Sequence, residues 1–219
     1  METEKRGLPD YWIWDFNGTI LDDVEAGIRA VNHLLSARGL PTVDSREAYQ
    51  AVFGFPIRGY YERLGFDFAK EAYEVIAPQW VEQYMIHVQS ASIFDDVRWA
   101  MERLNACGVR QIVLSATERQ MLVGQLKDLG LLDCFEEVLG LDNIHAASKL
   151  ALAEEWRARN PHARVLFVGD TDHDVETASA MDAECALVAR GHQSAARLAT
   201  LGVPVFSDLR SLVESLGVR

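Results

Sequence analysis

A chain of 219 residues has room for one α/β domain plus a smaller insert. With 49% hydrophobic and 25% charged residues, it is excluded from the disordered and fibrous classes and can bury a sizeable core. A formal net charge of -12 argues against nonspecific binding to nucleic acid or to an anionic membrane surface, since either needs a cationic face.

The opening METEKRGLPDYWIW carries mixed charges and a short apolar run, so no secretory signal is expected from it. Residues 11–15 (YWIWD) read as a buried strand that ends abruptly in Asp-Phe-Asn-Gly-Thr. From 22 to 90 the pattern is helical, as in VEAGIRAVNHLLSARGL and KEAYEVIAPQWVEQYMIHV, with no convincing strand. Gly39 and Pro41 end the first of these helices, and FGFPIRGYYERLGFD supplies a turn. Strands follow at 111–116, 164–169 and 184–189, with weaker candidates at 135–139 and 204–206. Helices are expected at 95–107, 118–129, 148–159, 173–181, 192–201 and 208–216.

Such alternation predicts an α/β fold: a Rossmann-like parallel sheet with helices on both faces and an inserted all-helical cap. The core would comprise 1–21 and 91–219, and the cap 22–90. No run approaches the roughly 20 apolar residues of a membrane span, so no membrane partner is expected. Cys107, Cys134 and Cys185 are odd in number and scattered, which reads as reduced core thiols in a cytoplasmic protein. Nothing in the pattern speaks to oligomeric state.

Ligands of open parallel sheets bind beyond the carboxyl ends of the strands, so the residues just after each strand are the candidates. Asp15, Asn17 and Thr19 follow the first strand, and Ser115 and Thr117 the second. Lys149 stands just inside a helix start, and Gly169, Asp170 and Asp174 close the set. Carboxylates, a hydroxyl, an ammonium and loop NH groups are what phosphoryl transfer requires: oxygen ligands for Mg2+, a nucleophile and positive groups for the phosphoryl oxygens.

In these residues the chain resembles the haloacid-dehalogenase superfamily, and within it the phosphoglycolate phosphatase-like branch with a helical cap. DFNGT is similar to the first motif, VLS to the second, Lys149 to the third and VGDTDHD to the fourth, so the resemblance covers nearly the whole chain. It implies that Asp15 attacks phosphorus to form an aspartyl-phosphate. It further implies that Asp15, Asp170 and the carbonyl of Asn17 bind Mg2+, with Asp174 a further candidate, and that Ser115 and Lys149 hold the phosphoryl oxygens. Gly18, Thr19 and Ala116 are expected at the substrate, which would be a small phosphorylated metabolite. Thr19 has helix capping as its alternative. Arg58, in the Gly/Pro turn of the insert, is a candidate for an anionic substrate group.

One departure from the family's pattern carries a consequence. Most of its phosphatases place an Asp general acid and base two residues after the nucleophile, where this chain has Asn17. An amide holds geometry but shuttles no proton, and general acid–base help is worth about 100-fold to 10,000-fold. Slow turnover, a preference for good leaving groups, a long-lived phosphoenzyme, or a non-catalytic phosphate-binding or regulatory role all follow as expectations.

Other readings stand beside these. Asn17-Gly18 is also a hairpin signal, but the following TILDDVEAGIRA continues as a helix with no matching strand. Asp170, Asp172 and Asp174 have calcium-loop spacing, yet Val175 and Met181 occupy the places of its Gly and Glu. Asp172 reads as a solvated loop or helix-start acid, and His173 and His192 as surface residues. Trp12 and Trp14 read as core. A carbon–halogen hydrolase of the family shows Tyr where Asn17 stands, and a phosphonate hydrolase needs a Schiff-base lysine in the cap, where Lys70 is the sole candidate.

Overall fold

The computed structural model describes residues 7–142 and 149–218. Strand β1 (Tyr11–Trp14) leads through the short β2 (Leu21–Asp22) into the helical insert. The insert comprises α1 (Val24–Ala37), α2 (Arg46–Val52), α3 (Ile57–Arg63) and α4 (Tyr73–His87), and β3 (Ser92–Ile93) closes it. The remainder alternates: α5 (Val97–Ala106), β4 (Arg110–Glu118), α6 (Arg119–Asp128), β5 (Glu137–Leu141), α7 (Lys149–Arg159), β6 (Val165–Gly169), α8 (Asp172–Ala180), β7 (Glu184–Val188), α9 (Ala195–Leu198), β8 (Val205–Phe206) and α10 (Leu209–Ser215). The main sheet is parallel throughout, in the order β5-β4-β1-β6-β7-β8.

Side chains alternate across a strand, and β1 shows how both faces of the sheet are covered. Trp12 and Trp14 enter one core with Ala100, Met101 and Leu104 of α5, Leu122 and Leu126 of α6, and Leu212 of α10. Tyr11 and Ile13 enter the opposite core with Trp156 of α7 and Ala178 of α8. Because both faces are buried, the strand reads as a continuous apolar run, as parallel strands do. Trp14 still carries a polar edge, and its indole N–H donates to Gln111 at 3.1 Å.

The cap has its own core, in which Ile28, Val31, Leu34 and Leu35 of α1 pack with Tyr49, Tyr60, Tyr61 and Ile76. The α1 helix belongs to both bodies, since its Ala26 and Ala30 join the first core of the sheet. At the foot of the cap, β2 and β3 form an antiparallel ribbon with Leu21 opposite Ile93. This pair lies outside the expected pattern, because strands this short leave no alternation to read. No helix among the described residues is long and apolar enough to cross a membrane.

The order of the sheet places β1 between β4 and β6, where the connections leave in opposite directions. That switch point opens a crevice at the carboxyl ends of the strands. The expected core thiols need correction: Cys107 and Cys134 are exposed, and Cys185 is intermediate. Cys107 caps the C-terminus of α5 and Cys134 lies in a short turn before β5, both at the surface. Lys70 precedes α4 and pairs with Asp67 at 3.1 Å, with its side chain 84% exposed.

Candidate active site

Asp15 is the first residue beyond β1, and its backbone N–H donates to the Val168 carbonyl at 2.8 Å, extending the sheet by one bond. The corresponding place after β6 is filled by Asp170. Asp174 lies one turn further along, near the start of α8, where an acidic side chain favours the helix dipole. One of its oxygens accepts from the backbone N–H groups of Asp170 and Thr171 at 3.0 and 2.9 Å and from the Thr171 hydroxyl at 2.8 Å. The other meets Lys149 Nζ at 2.5 Å, and the same ammonium reaches Asp15 at 2.5 Å. One oxygen each from Asp15, Asp170 and Asp174 lies within 4.8 Å of the others.

Close approach of the backbone makes this cluster possible. Gly18 has φ +75°, and a Cβ there would strike the Asp170 carboxylate. At Gly169 a Cβ would strike the carboxylate of Asp174. Asp170 is then held from two sides, by the Thr19 hydroxyl at 3.2 Å and the His192 backbone N–H at 2.6 Å.

Electrostatics set the demands of the site. Asp15, Asp23, Asp170 and Asp174 are all buried, and the cations buried among them are Lys149 and His192. Burial raises Asp15 well above the usual carboxylate range, against the pull of Lys149, and the Asp174 and Asp170 charges add to the rise. Burial likewise pushes Asp170 up to about 7, despite His192. Burial also opposes ionisation of Asp174, but Lys149 and the Thr171 hydrogen bonds outweigh it and hold that carboxyl below its ordinary value. Lys149 stays charged, because Asp15 and Asp174 overcome the burial that disfavours its ammonium. Among the described residues, an oxygen-only donor set with two carboxylates in excess of its cations fits a hard divalent cation such as Mg2+, whose charge would offset the burial and like-charge crowding that raise Asp15 and Asp170.

Asn17 is locked in place. Its Nδ2 donates to Asp23 at 2.9 Å and to the Tyr84 hydroxyl at 2.7 Å, and its Oδ1 accepts from the Thr117 hydroxyl at 2.8 Å. Asp23 occupies the N-cap position of α1 but makes no capping bond. Its carboxylate turns back instead, accepting from the Gly18 N–H at 2.9 Å and from Tyr84 at 2.7 Å. His192 completes the group, with Nε2 at 3.2 Å from Asp23 and Nδ1 at 2.9 Å from the Tyr49 hydroxyl. Burial disfavours the imidazolium, yet Asp23 and the nearby Asp170 and Asp15 raise His192 to about 9. Burial also disfavours the Asp23 anion, but His192, Tyr84 and Asn17 keep its carboxyl low.

The site opens into a chamber of about 260 Å³ between the sheet and the cap. Asp15, Asn17, Ser115, Ala116, Lys149, Asp170 and Asp174 line its floor. The register of β4 shifts between Leu114 and Glu118, a distortion that re-aims side chains at a strand end. Ser115 Oγ there accepts from the Thr117 N–H and bonds the Thr117 hydroxyl, both at 3.1 Å.

A family model for haloacid dehalogenase-like hydrolases matches residues 12–188. The chain belongs to that family. Among haloacid dehalogenase-like proteins, it is 26% identical to a phosphoglycolate phosphatase of Rhodobacter capsulatus over 172 residues, covering 76% of this chain and 78% of that protein. It is 25% identical to the tyrosine-protein kinase PtkA of Mycobacterium tuberculosis over 216 residues, covering 96% of this chain and 73% of the kinase. The solved structure of PtkA superposes with a TM-score of 0.80 at 24% identity, covering 96% of this chain and 99% of that one. A haloacid dehalogenase-like hydrolase from Streptococcus pneumoniae superposes at 0.75 with 15% identity, covering 94% and 97%, and shares the fold.

Within this haloacid dehalogenase-like scaffold, several expected residues lie elsewhere than anticipated. Thr19 braces Asp170 and caps no helix, Gly18 packs close against the Asp170 carboxylate and donates to Asp23, and neither lines the chamber. Arg58 does not line it and lies 3.6 Å from Glu62, stacked over Phe68 at 4.8 Å. His173 and His192, expected at the surface, are 8% and 7% exposed. His173 stacks under Phe55 at 4.4 Å, so cap packing explains its burial. Asp172 bonds Arg197 at 2.6 Å and sits outside the acidic cluster. The residues that sequence reasoning missed are Asp23, Tyr84 and His192. The one available signal was Asp23, an acid ahead of a helix that reads as an ordinary cap.

Proposed function

We propose that the chain is a Mg2+-dependent phosphatase or phosphotransferase, phosphoglycolate phosphatase-like in its chemistry, acting on a small phosphorylated metabolite. The observation that carries this reading is the convergence of Asp15, Asp170, Asp174 and Lys149 at the carboxyl ends of β1 and β6. Asp15 and Asp170, with the main-chain carbonyl of Asn17 and with Asp174 at the rear, would hold Mg2+, which neutralises charge on the phosphoryl oxygens when bound. Asp15 attacks phosphorus, the bond to the leaving oxygen breaks with its electron pair, and Asp15 becomes an aspartyl-phosphate. Lys149 and Ser115 bind the phosphoryl oxygens. An acceptor, water or a second hydroxyl, then takes the phosphoryl group and restores the carboxylate.

Asn17 decides which acceptor is served well. It donates to Asp23 and offers no exchangeable acid proton, so neither the leaving group nor an attacking water receives general acid–base help of the usual ~100-fold to 10,000-fold. The names of the relatives cover both outcomes, a phosphatase that delivers to water and a kinase that delivers to tyrosine. The same amide supports a second reading, a phosphate-binding or regulatory protein with little turnover. Unpaired cysteines support a reducing, cytoplasmic setting. Phosphate release from a panel of phosphorylated metabolites, with Mg2+ and with EDTA, tests the proposal. Mg2+-dependent release that vanishes in Asp15→Asn is expected, whereas Mg2+-independent release would refute the role given to the aspartates.

A further inference from the structure

Resting on the phosphoryl-transfer reading above, we propose that the cap selects phosphate monoesters of an aromatic hydroxyl bearing no second anionic group. The upper walls of the chamber are built from Phe53, Phe55, Tyr60, Tyr61, Tyr73 and Trp80. Its volume of about 260 Å³ exceeds the ~150 Å³ apolar cavity that accepts a benzene ring. Among the described residues lining it there is no arginine, and Lys149 is the one lysine. Lys149 already serves Asp15 and Asp174, His192 serves Asp23, and His173 Nδ1 is 3.0 Å from Glu176.

Arginines near the cap are turned to other partners. Arg63 donates to the Val52 carbonyl at 2.7 Å, and Arg197 to the Phe53 carbonyl at 2.7 Å and to Asp172 at 2.6 Å. A substrate carboxylate carried into this space would lose water and meet aromatic faces and the negative side chain of Glu118. An aromatic ring would meet offset and edge-on partners of its own kind, such as Phe53 and Tyr60, whose centroids are 5.2 Å apart at 63°.

The chemistry of the floor agrees independently. With no acid at position 17, the leaving oxygen departs as an anion and takes its proton from solvent afterwards. A phenolate, with a conjugate acid of pKa about 10, leaves under those terms far more readily than an alkoxide, whose conjugate acid lies near the ~15.7 of water. Attack by Asp15 forms the Asp15 Oδ–P bond as the P–O(aryl) bond breaks. Water then attacks phosphorus, giving inorganic phosphate and the free carboxylate.

The test compares kcat/KM for phenyl phosphate, phosphoglycolate and acetyl phosphate in saturating Mg2+. Acetyl phosphate has a good leaving group and no ring, so it reports the phosphoryl-transfer reading apart from the chamber. Phenyl phosphate is expected to exceed phosphoglycolate by about 100-fold or more, the size of a general-acid contribution. Tyr73→Arg, which sets a cation in the wall, should narrow that ratio by at least about tenfold, the worth of a single charged hydrogen bond. If acetyl phosphate is turned over through Asp15 while phosphoglycolate matches or beats phenyl phosphate, the aryl proposal is overturned and the catalytic reading stands. Failure of acetyl phosphate as well, with no phosphoryl group on Asp15, overturns both.

Discussion

Asn17 is best understood together with Asp23. The amide nitrogen of Asn17 donates to a buried carboxylate, so the two residues form a matched pair. Asn17→Asp alone would replace that donor with an acceptor facing Asp23 across a hydrogen-bond distance. We expect it to lose about 1–3 kcal/mol of stability, the penalty of an unsatisfied buried polar pair. The exchange Asn17→Asp/Asp23→Asn restores a donor between the two positions. It should recover part of that loss and raise kcat/KM for an alkyl phosphate by about tenfold or more, within the range of general acid catalysis. Urea denaturation with parallel kinetics checks this, and a single variant as stable as wild type and as fast as the exchange would contradict it. The thiols give a second residue-scale outcome. Cys107 and Cys134 are exposed, while burial pushes the Cys185 thiol up to about 12. At neutral pH two thiols should react promptly with a disulfide reagent and the third, partly buried and with a raised pKa, much more slowly. Three equal rates would contradict the placement of Cys185.

Among the elements, the strands that deliver the site were legible because each is a short apolar run followed at once by polar residues. YWIWD and RVLFVGD show it plainly, and β1 and β6 lie within the expected spans. Asp15 and Asp170 follow from those strand ends, and Lys149 from its place at the start of a helix. Less legible were β2 and β3, too short for any period, and the residues that reach the floor from the cap and from the loop after β7. Tyr84 sits in the last turn of α4 and His192 in a loop, and nothing local in the sequence separates them from core and surface residues. Arg58 misled because a Gly/Pro turn suggests a binding loop, whereas Ile57–Arg63 is helical and sends Arg58 toward Glu62. The joint between β6 and α8 yields a prediction. At Gly169 an added Cβ would press on the Asp174 carboxylate that Asp170, Thr171 and Lys149 hold in place. Gly169→Ala should therefore abolish any rise in Tm caused by Mg2+ while the protein remains folded by circular dichroism. An unchanged Mg2+ response would show that Asp174 plays no part in the metal site.

At the scale of the whole molecule, cap and core are joined by polar contacts that surround the chamber. Gln50 donates to the Gly191 carbonyl at 2.8 Å, Tyr49 meets His192 at 2.9 Å and Arg197 reaches the Phe53 carbonyl at 2.7 Å. These contacts hold the aromatic wall over the aspartates. Among the described residues, the excess of buried carboxylates over cations beneath that wall works against folding, and the proposed Mg2+ would relieve it. Mg2+ at 100 times its Kd should stabilise the fold by about 2.7 kcal/mol, and Asp170→Asn should remove most of that gain. Thermal melts across a Mg2+ titration check this, and equal stabilisation of both proteins would place the ion elsewhere. The most direct measurement of the whole account is peptide mass spectrometry of enzyme quenched in acid during turnover of phenyl phosphate with Mg2+. One phosphoryl group on the carboxylate of Asp15, absent when EDTA is added, is the predicted result; turnover with the phosphoryl group on any other residue, or undiminished turnover by Asp15→Asn, would contradict it.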